Sequence, residues 1–230
     1  MVVIQRLRKS KLGMKKISTT IFALILSATV FAQQNTWPSA LGNVSFATDS
    51  TWTISREFMF SNMDNIFQIW SDAVQTDKCS RKESFNGGSF EEGFNIDCRS
   101  NPDQKGDLFS WRAVFEFKYE LCPYPWRVPT RQDFINLDMA LGGGGMVFRC
   151  DRRWSHIDKY FNNWGGVFGG RSNSKGYLVG QNLRADYWSQ EPSFGCSAYT
   201  LSFTDTKGHI FPQNCIERCF GASLRCVRDK

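Results

Sequence analysis

The sequence has few of the residues that usually hold metal ions or drive hydrolysis. Only two of its 230 residues are histidines, His156 and His209, and no Cys-x-x-Cys motif occurs. Structural zinc sites are built from closely spaced cysteines and histidines, so a zinc site is not expected. An activated cysteine needs a base close by, and the sequence places neither histidine near a cysteine. We therefore expect a non-enzymatic protein, with no catalytic residues and no metal site.

The chain also lacks an apolar run long enough to span a bilayer. The run at 21–30 is too short, because a membrane-spanning helix needs about 20 apolar residues. Lys15 and Lys16 precede this run and a small-residue cleavage site follows it, which is the pattern of an export signal peptide at 1–32. Met14 is an alternative start of that signal. The mature protein is therefore expected in the periplasm, at the cell surface or secreted, with no membrane span.

Without the signal segment, the chain has no excess charge of either sign. Residues 1–32 hold six of the 28 basic residues and none of the 22 acidic ones, so the remainder carries 22 of each. Proteins that bind nucleic acids or anionic membranes present a basic surface. Neither kind of partner is expected for the mature protein.

No internal repeat or low-complexity segment stands out along the chain. Residues 33–50 combine glutamine, asparagine, proline and glycine, which is typical of a loose lead-in segment. Residues 51–230 are expected to form a single domain, because a chain of this size buries roughly 70% of its unfolded surface.

What the sequence does have is an even number of cysteines. All eight lie after the signal segment, at Cys79, Cys98, Cys122, Cys150, Cys196, Cys215, Cys219 and Cys226. An even count in an oxidising compartment predicts disulfide bonds, although the sequence alone does not choose the pairs. Cys79 and Cys98 flank a glycine-rich, irregular stretch, and we expect them to close it, which is worth about 3 kcal/mol in the chain-entropy model.

The segment 111–119 alternates between apolar and polar residues. Its apolar positions are Trp111, Ala113, Phe115, Phe117 and Tyr119. This period of two predicts a half-buried strand. The prolines that follow, at 123, 125 and 129, are incompatible with a regular ladder through the next segment.

Two short helices are predicted in the middle of the chain. Thr130 is expected to cap a helix at 131–141, and Ser155 is expected to cap a second one, each with an aspartate in its first turn. Their apolar faces are formed by Phe134, Leu137 and Leu141 in the first helix, and by Ile157, Tyr160, Phe161 and Trp164 in the second. Glycines end both helices.

The C-terminal part is predicted to be β-structure. Residues 198–204 alternate, with Tyr199, Leu201 and Phe203 on one face, and a turn at 205–208 leads into a strand at 209–211. A last strand is predicted at 222–228. The combination of two helices and a β-meander indicates an α+β domain.

Several motifs of this half of the chain occur in an order and spacing that resemble those of one family. They are Gly106–Trp111, Cys122–Thr130, Trp164–Gly166, Tyr187–Ser189 and Leu224–Val227. Together they resemble the Fibrobacter succinogenes major paralogous domain family, clearly over residues 106–230. That family is exported, has no settled biochemical activity, and is similar in fold to C-type-lectin-like domains. The resemblance implies a disulfide-braced, C-type-lectin-like α+β domain with two short helices and an antiparallel meander.

The resemblance also implies a disulfide frame. Cys122 and Cys226 are expected to pair, and a loop of roughly 100 residues closed in this way is worth about 4–5 kcal/mol in the entropy model. The remaining cysteines, Cys150, Cys196, Cys215 and Cys219, would then pair among themselves. A bond from Cys196 to Cys215 or to Cys219 would brace the predicted hairpin.

The segment Glu191-Pro192-Ser193 resembles the Glu-Pro-Asn motif with which C-type lectins bind calcium and sugar. Calcium takes six to eight oxygen ligands. Here Ser193 replaces the asparagine, no Trp-Asn-Asp follows, and Asp186 and Asp205 lack the spacing of a cage. A solvated turn is the preferred interpretation, so no cofactor is expected, and calcium is kept as the alternative.

The candidate ligand contacts lie in the glycine-rich loops between residues 142 and 195. They are Asn163, Tyr177, Asn182, Trp188 and Glu191. Sugar rings stack on exposed aromatic faces and amides bind hydroxyls, although packing in the core is the commoner role of large aromatic residues.

The function expected from these features is that of a binding or adhesion module for a glycan or protein at the cell surface. The alternative is a structural subunit of a bacterial envelope assembly, with other subunits as its partners. An oxidase-like enzyme that uses Cys215 and Cys219 on the same scaffold is a third, less favoured interpretation.

Overall fold

Short strands and short helices alternate along the chain. The computed structural model describes residues 44–45, 52–56, 66–76, 79, 97–145, 154–205 and 208–229, all within one compact unit, Pro38–Lys230. The strands are β1 (Val44–Ser45), β2 (Trp52–Arg56), β3 (Ile66–Ala73), β4 (Gln75–Thr76), β5 (Cys98–Arg99), β6 (Leu108–Ser110), β7 (Arg171–Ser172), β8 (Leu178–Val179), β9 (Arg184–Pro192), β10 (Ser197–Thr204), β11 (His209–Glu217), β12 (Gly221–Ala222) and β13 (Arg225–Asp229). The helices are α1 (Trp111–Glu116), α2 (Lys118–Leu121), α3 (Arg131–Ala140) and α4 (Trp154–Asn162).

The strands form mostly antiparallel sheets. One sheet has the order β11-β10-β9, a second has the order β5-β6-β12-β7-β8, and a third has the order β13-β3-β2, while β1 pairs with β4. The mixed, largely antiparallel α+β architecture is therefore confirmed at this level. Within the described ranges no helix has both the length and the apolar character needed to cross a membrane. The predicted signal peptide at 1–32 and Cys150 lie outside the described residues.

The C-terminal strand β13 is bonded both to β3 and to the segment around Arg127 in the middle of the chain. β13 pairs antiparallel with β3, and Arg127 and Val227 exchange two backbone hydrogen bonds of 2.9 Å. A disulfide bond joins Cys122 to Cys226, with an S–S distance of 2.03 Å. This is the pair that the family resemblance implies. A second disulfide joins Cys79 to Cys98, as expected from their position.

Helix α3 begins where its sequence predicts. The Thr130 hydroxyl accepts the backbone N–H of Asp133, and the Asp133 carboxylate accepts the backbone N–H of Thr130, which completes a capping box. Phe134, Leu137 and Leu141 are buried. The predicted amphipathic face is therefore the one that packs against the core.

Helix α4 differs from its prediction at its first turn. The helix begins at Trp154, so Ser155, expected as the cap, lies inside it. The buried face is the expected one, since Ile157, Tyr160 and Trp164 are at most 2% exposed. The helix ends before Gly165, whose φ of 70° favours glycine.

The strand predicted at 111–119 is wrong, because this segment forms helices α1 and α2. The Ser110 side chain accepts the backbone N–H of Ala113 and caps α1 as soon as β6 ends. Burial of Trp111 and Val114 follows the helical spacing, whereas Phe115 is 48% exposed. The alternation in the sequence therefore did not correspond to one buried face.

The predicted hairpin is present, and its second strand is longer than expected. β10 and β11 pair antiparallel, and between them the N–H of Gly208 bonds to the carbonyl of Asp205. A register shift between Thr200 and Ser202 interrupts the predicted alternation. Leu201 is buried, whereas Tyr199, which was predicted to lie on the same face, is half-buried. The last predicted strand, 222–228, is divided between β12 and β13.

Two buried clusters form the core of the part of the chain that the structure describes. One surrounds the Cys122–Cys226 disulfide and contains Trp188, and the other is rich in aromatic residues from β3, α3, α4 and β9. In the second cluster the guanidinium of Arg225 lies 4.1 Å from the centre of the Trp164 ring and donates to the carbonyl of Ser71 at 2.5 Å. Burial lowers the pKa of Arg225 to about 10. The cation of the Leu-Arg-Cys-Val motif is thus part of the core.

Candidate binding groove

The aromatic residue expected to contact a ligand most directly lies in the core instead. Trp188 is 0% exposed, and its indole N–H donates to the carbonyl of Phe109 at 2.6 Å. Its backbone N–H bonds to the carbonyl of Ser223. No ring face is left for a ligand, so Trp188 is corrected from a ligand contact to a core residue. Trp188 lies in the middle of β9, between its pairing with Thr200 of β10 and the backbone bond to Ser223, which accounts for this burial.

The carboxylates proposed for calcium are used inside the fold. Glu191 accepts the backbone N–H of Arg131, at the positive end of the α3 dipole, where an anion is stabilising. Asp186 is fully buried and accepts two hydrogen bonds from Arg184, of 2.6 and 2.8 Å. Glu191 is therefore corrected from a ligand contact to a helix-terminus contact, and the calcium alternative loses two of its three carboxylates.

The described residues contain one converging group of three ligand-type side chains. It consists of Cys79, Cys98 and Asp107. Its two cysteines are joined by a disulfide and are therefore not available as thiolate ligands. This group does not make a metal site in the oxidised protein.

The other three loop candidates remain at the surface. Asn163 and Asn182 are exposed, and Tyr177 is 47% exposed. Asn182 holds a tight turn with a φ of 63°, and its side-chain oxygen accepts a hydrogen bond from Gln104. No described hydrogen bond or ring contact joins Asn163, Tyr177 and Asn182 to one another, so their role as a joint ligand surface stays a prediction.

An open groove of about 430 Å³ lies on a different part of the molecule. Its walls come from the short helix α2, from the segment 122–128 that follows it, and from Gln190 on β9 and Asp229 on β13. Cys122 is among the lining residues, and its disulfide to Cys226 holds the end of α2 against β13. The groove is therefore built on the covalent frame of the domain.

Aromatic side chains form the open side of this groove. Tyr119 is 75% exposed and Tyr124 is 97% exposed, while Trp126 is half-buried. The guanidinium of Arg228 lies 4.9 Å from the centre of the Trp126 ring, and the ammonium of Lys118 lies 5.0 Å from the Tyr119 ring. Exposed rings of this kind offer flat apolar area with a hydroxyl at one end.

The placement of these rings follows from the local sequence. The backbone N–H of Trp126 bonds to the carbonyl of Pro123 and closes a turn at 2.8 Å. Pro125 has no N–H to donate to a sheet. Tyr124, at the second position of this turn, therefore projects from the surface.

The polar side of the groove is fixed by an ion-pair network. Arg127 donates to Asp133 at 2.5 and 3.0 Å, and to the exposed Asp229 at 3.4 Å. The hydrogen bond to Asp133 is the main cause that raises the pKa of Arg127 above its usual value. Arg127 is thus paired with two carboxylates, and one of them, Asp229, lies in the lining of the groove.

Gln190 adds an amide with free hydrogen-bonding capacity. Its backbone N–H bonds to the carbonyl of Pro129 at 2.8 Å, which fixes its position beside the groove. No described hydrogen bond uses its side-chain amide, which can both donate and accept.

The groove was not predicted from the sequence, which pointed to the cysteine motif only as a scaffold. One signal was present: Pro123, Pro125 and Pro129 interrupt any ladder, so that Tyr124 and Trp126 cannot alternate within a sheet. Two aromatic residues between prolines are therefore placed at a surface. The contributions of Gln190 and Asp229 had no comparable local signal.

The brace expected from the remaining cysteines is not formed in the structure. Cys196, Cys215 and Cys219 are free thiols. Burial is the first cause that raises the pKa of Cys219, and the neighbouring Glu217 raises it further. A reactive cysteine has the opposite property, a lowered pKa.

A comparison of the chain with protein-family models, with curated proteins and with solved structures gives no match in any of the three.

Proposed function

We propose that this protein is an exported, non-enzymatic binding module that holds a glycan in the groove beside the Cys122–Cys226 disulfide. The observation that carries the proposal is the combination of the exposed rings of Tyr119 and Tyr124 with polar groups at the edge of one open groove. Ligand sites typically combine apolar and aromatic walls with a few placed polar groups. The disulfides Cys79–Cys98 and Cys122–Cys226 of this protein support an oxidising, extracytoplasmic location.

The chemistry of the lining favours a neutral, hydroxyl-rich ligand. The C–H face of a sugar ring stacks on an aromatic ring, while its hydroxyls exchange hydrogen bonds with amide and carboxylate groups. The Gln190 amide and the exposed Asp229 carboxylate supply such groups. Since Arg127 is already paired with Asp133, a phosphate or an acidic peptide gains little from it.

The groove is a stronger candidate than the loops at 142–195. Of the candidate ligand contacts in those loops, Trp188 is buried in the core and Glu191 accepts a hydrogen bond at the N-terminus of α3. The loops keep Tyr177 as an exposed aromatic residue, which makes it a matched control for the groove tyrosines.

The test is glycan-array binding followed by calorimetry on the array hits, with the mature chain and three variants. Tyr124→Ala and Tyr119→Ala should each weaken glycan binding at least about tenfold, which corresponds to 1.4 kcal/mol. Tyr177→Ala should leave the affinity unchanged. A loss confined to Tyr177→Ala would move the site to the loops, and binding unaffected by all three variants would refute the groove.

A protein partner is the second candidate, and a separate surface favours it. Tyr177, Val179 and Leu183 are each 42–50% exposed around β8, which is an edge strand of the five-stranded sheet. Exposed apolar side chains at a sheet edge are typical of subunit contacts. If the chain is an envelope subunit, Val179→Lys with Leu183→Lys should release it from the envelope fraction, measured by detergent extraction and size-exclusion chromatography.

A further inference from the structure

Three free thiols lie at one end of the β10–β11 hairpin. Cys196 precedes β10 directly, Cys215 lies within β11, and Cys219 follows β11 by two residues. Cys196 and Cys215 are exposed, and Cys219 is half-buried.

The strand register places Cys196 near Cys219. Ser197 pairs with Glu217, and one step further the backbone N–H of Arg218 bonds to the carbonyl of Cys196 at 2.8 Å. Cys219 is therefore the diagonal neighbour of Cys196 across the hairpin. With strands about 4.8 Å apart and about 3.3 Å per residue along a strand, an offset of one residue corresponds to about 6 Å between Cα atoms, which is within the usual range for disulfide-bonded cysteines, about 4.4–6.8 Å.

Cys215 is much further from Cys196. It pairs with Tyr199, which is three residues along β10 from Cys196. At about 3.3 Å per residue, this offset alone is about 10 Å, beyond the reach of a disulfide without movement of the backbone. The register therefore distinguishes two pairings that the sequence left open.

The surroundings of Cys219 agree with this geometry. Cys219 lies in a turn that is closed by a hydrogen bond from the N–H of Phe220 to the carbonyl of Glu217. Its Sγ lies 3.5 Å from the Glu217 carboxylate, and the nearby sulfur of Cys196 is among the causes that raise the pKa of Cys219.

We propose that Cys196 and Cys219 are the site of a third intramolecular disulfide, formed by exchange with the disulfide of a thiol oxidant. The exposed Cys196 thiolate attacks the oxidant R–S–S–R, forms a mixed disulfide and releases one R–S⁻. The Cys219 thiolate then attacks the Cys196 sulfur and releases the second. The two thiols lose two protons and two electrons, and the oxidant becomes two R–SH.

The bond would fix the part of the hairpin that supports α1. The backbone N–H of Trp111 bonds to the carbonyl of Arg218 at 3.1 Å, and the Arg218 guanidinium lies 4.8 Å from the centre of the Trp111 ring. Arg218 directly precedes Cys219. Crosslinking therefore restrains the residue on which the first turn of α1 rests, independently of what the groove binds.

The test is tryptic peptide mapping of the mature chain after equilibration with oxidised glutathione, without a reducing agent. Cleavage after Arg218 separates Cys215 from Cys219, because one lies in the peptide 208–218 and the other in 219–225, while Cys196 lies in 185–207. We expect the peptides 185–207 and 219–225 to be joined. The bond between Cys122 and Cys226 serves as the internal reference.

The variants distinguish a specific bond from chance oxidation. Cys215→Ser should keep the crosslink, and Cys219→Ser should abolish it and lower the oxidised Tm by about 6–12 °C, from a loop of about 23 residues. A bond from 185–207 to 208–218, or to the peptide that contains Cys150, would overturn the assignment. So would full alkylation of both thiols after oxidation of the unsubstituted chain, a result that needs no variant to fold.

Discussion

Replacement of Asp133 by alanine should destabilise the domain and disorganise the polar side of the groove. The Asp133 carboxylate is buried and accepts hydrogen bonds from the backbone N–H and the hydroxyl of Thr130, at 2.7 and 2.8 Å. It also accepts one from Gln68 at 2.7 Å and two from Arg127 at 2.5 and 3.0 Å. One side chain thus links the start of α3, the strand β3 and the groove.

The expected loss follows from these contacts. Removal of the capping contact costs about 1 kcal/mol. The buried Gln68 amide loses its partner at about 1–3 kcal/mol, and Arg127, which keeps Asp229 and is partly solvated, adds about 1 kcal/mol. The free energy of unfolding should therefore fall by about 3–5 kcal/mol in Asp133→Ala.

The assay is urea unfolding followed by tryptophan fluorescence. Gln132→Ala is the matched control, because it is the exposed neighbour on the same helix and should change stability by less than about 0.5 kcal/mol. A loss below about 1 kcal/mol in Asp133→Ala, with the slope of the urea transition unchanged, would refute the assignment of Asp133 as the link between α3 and the groove.

Three further outcomes follow from the same contacts. Replacement of Cys122 and Cys226 by serine opens a loop with a sequence separation of 104 residues and should cost about 4–5 kcal/mol in urea titration; a cost near zero would mean that the disulfide does not constrain the unfolded chain. Burial raises the pKa of Asp107 from 3.8 to about 6, and that of Asp97 likewise to about 6. Because the folded state then binds protons more tightly than the unfolded state, stability is highest below about pH 4 as far as these groups are concerned. The contribution of these two groups to stability is lost as the pH rises through 6, by as much as about 3 kcal/mol for Asp107. Asp107→Asn should flatten this part of the pH profile of the unfolding midpoint. Trp188→Phe should lower stability by about 2–4 kcal/mol, through the lost bond and volume, while glycan affinity stays unchanged; a selective loss of affinity would restore Trp188 as a ligand contact.

Features that depend on a few neighbouring residues could be predicted from the sequence. Helix α3 is the clearest case, because Thr130 and Asp133 form its cap within four residues and the spacing of Phe134 and Leu137 defines its buried face. The hydrogen bond between Asp205 and Gly208, which connects β10 to β11, is similarly local. These are interactions whose partners are close in the chain, so that little tertiary context is needed.

The errors have a common physical cause. Along 111–119 the alternation of apolar residues predicts a strand, whereas Ser110 caps a helix. The burial of Trp111 and Val114 in the core, which the sequence does not reveal, favours the helix. The sequence does not distinguish the aromatic residues that face solvent from those that face the core. Trp188 is therefore predicted as a ligand contact, although it lies in the core. Side-chain burial is set by the whole fold rather than by neighbours in sequence.

The groove could not be read from the sequence for the same reason. Its walls meet only because the Cys122–Cys226 bond and the pairing of β13 with β3 bring the C-terminal strand beside α2. Gln190 and Asp229 enter it from two other strands. A site assembled from three distant segments leaves no contiguous motif.

The most direct test of the binding function is the glycan affinity of Tyr124→Ala relative to Tyr177→Ala, measured by calorimetry on equally stable samples. Tyr124 is almost fully exposed, so its replacement should change stability by less than about 0.5 kcal/mol. The groove proposal predicts at least about a tenfold loss of affinity for Tyr124→Ala and none for Tyr177→Ala. Equal affinity of the two variants and the unsubstituted chain would contradict it.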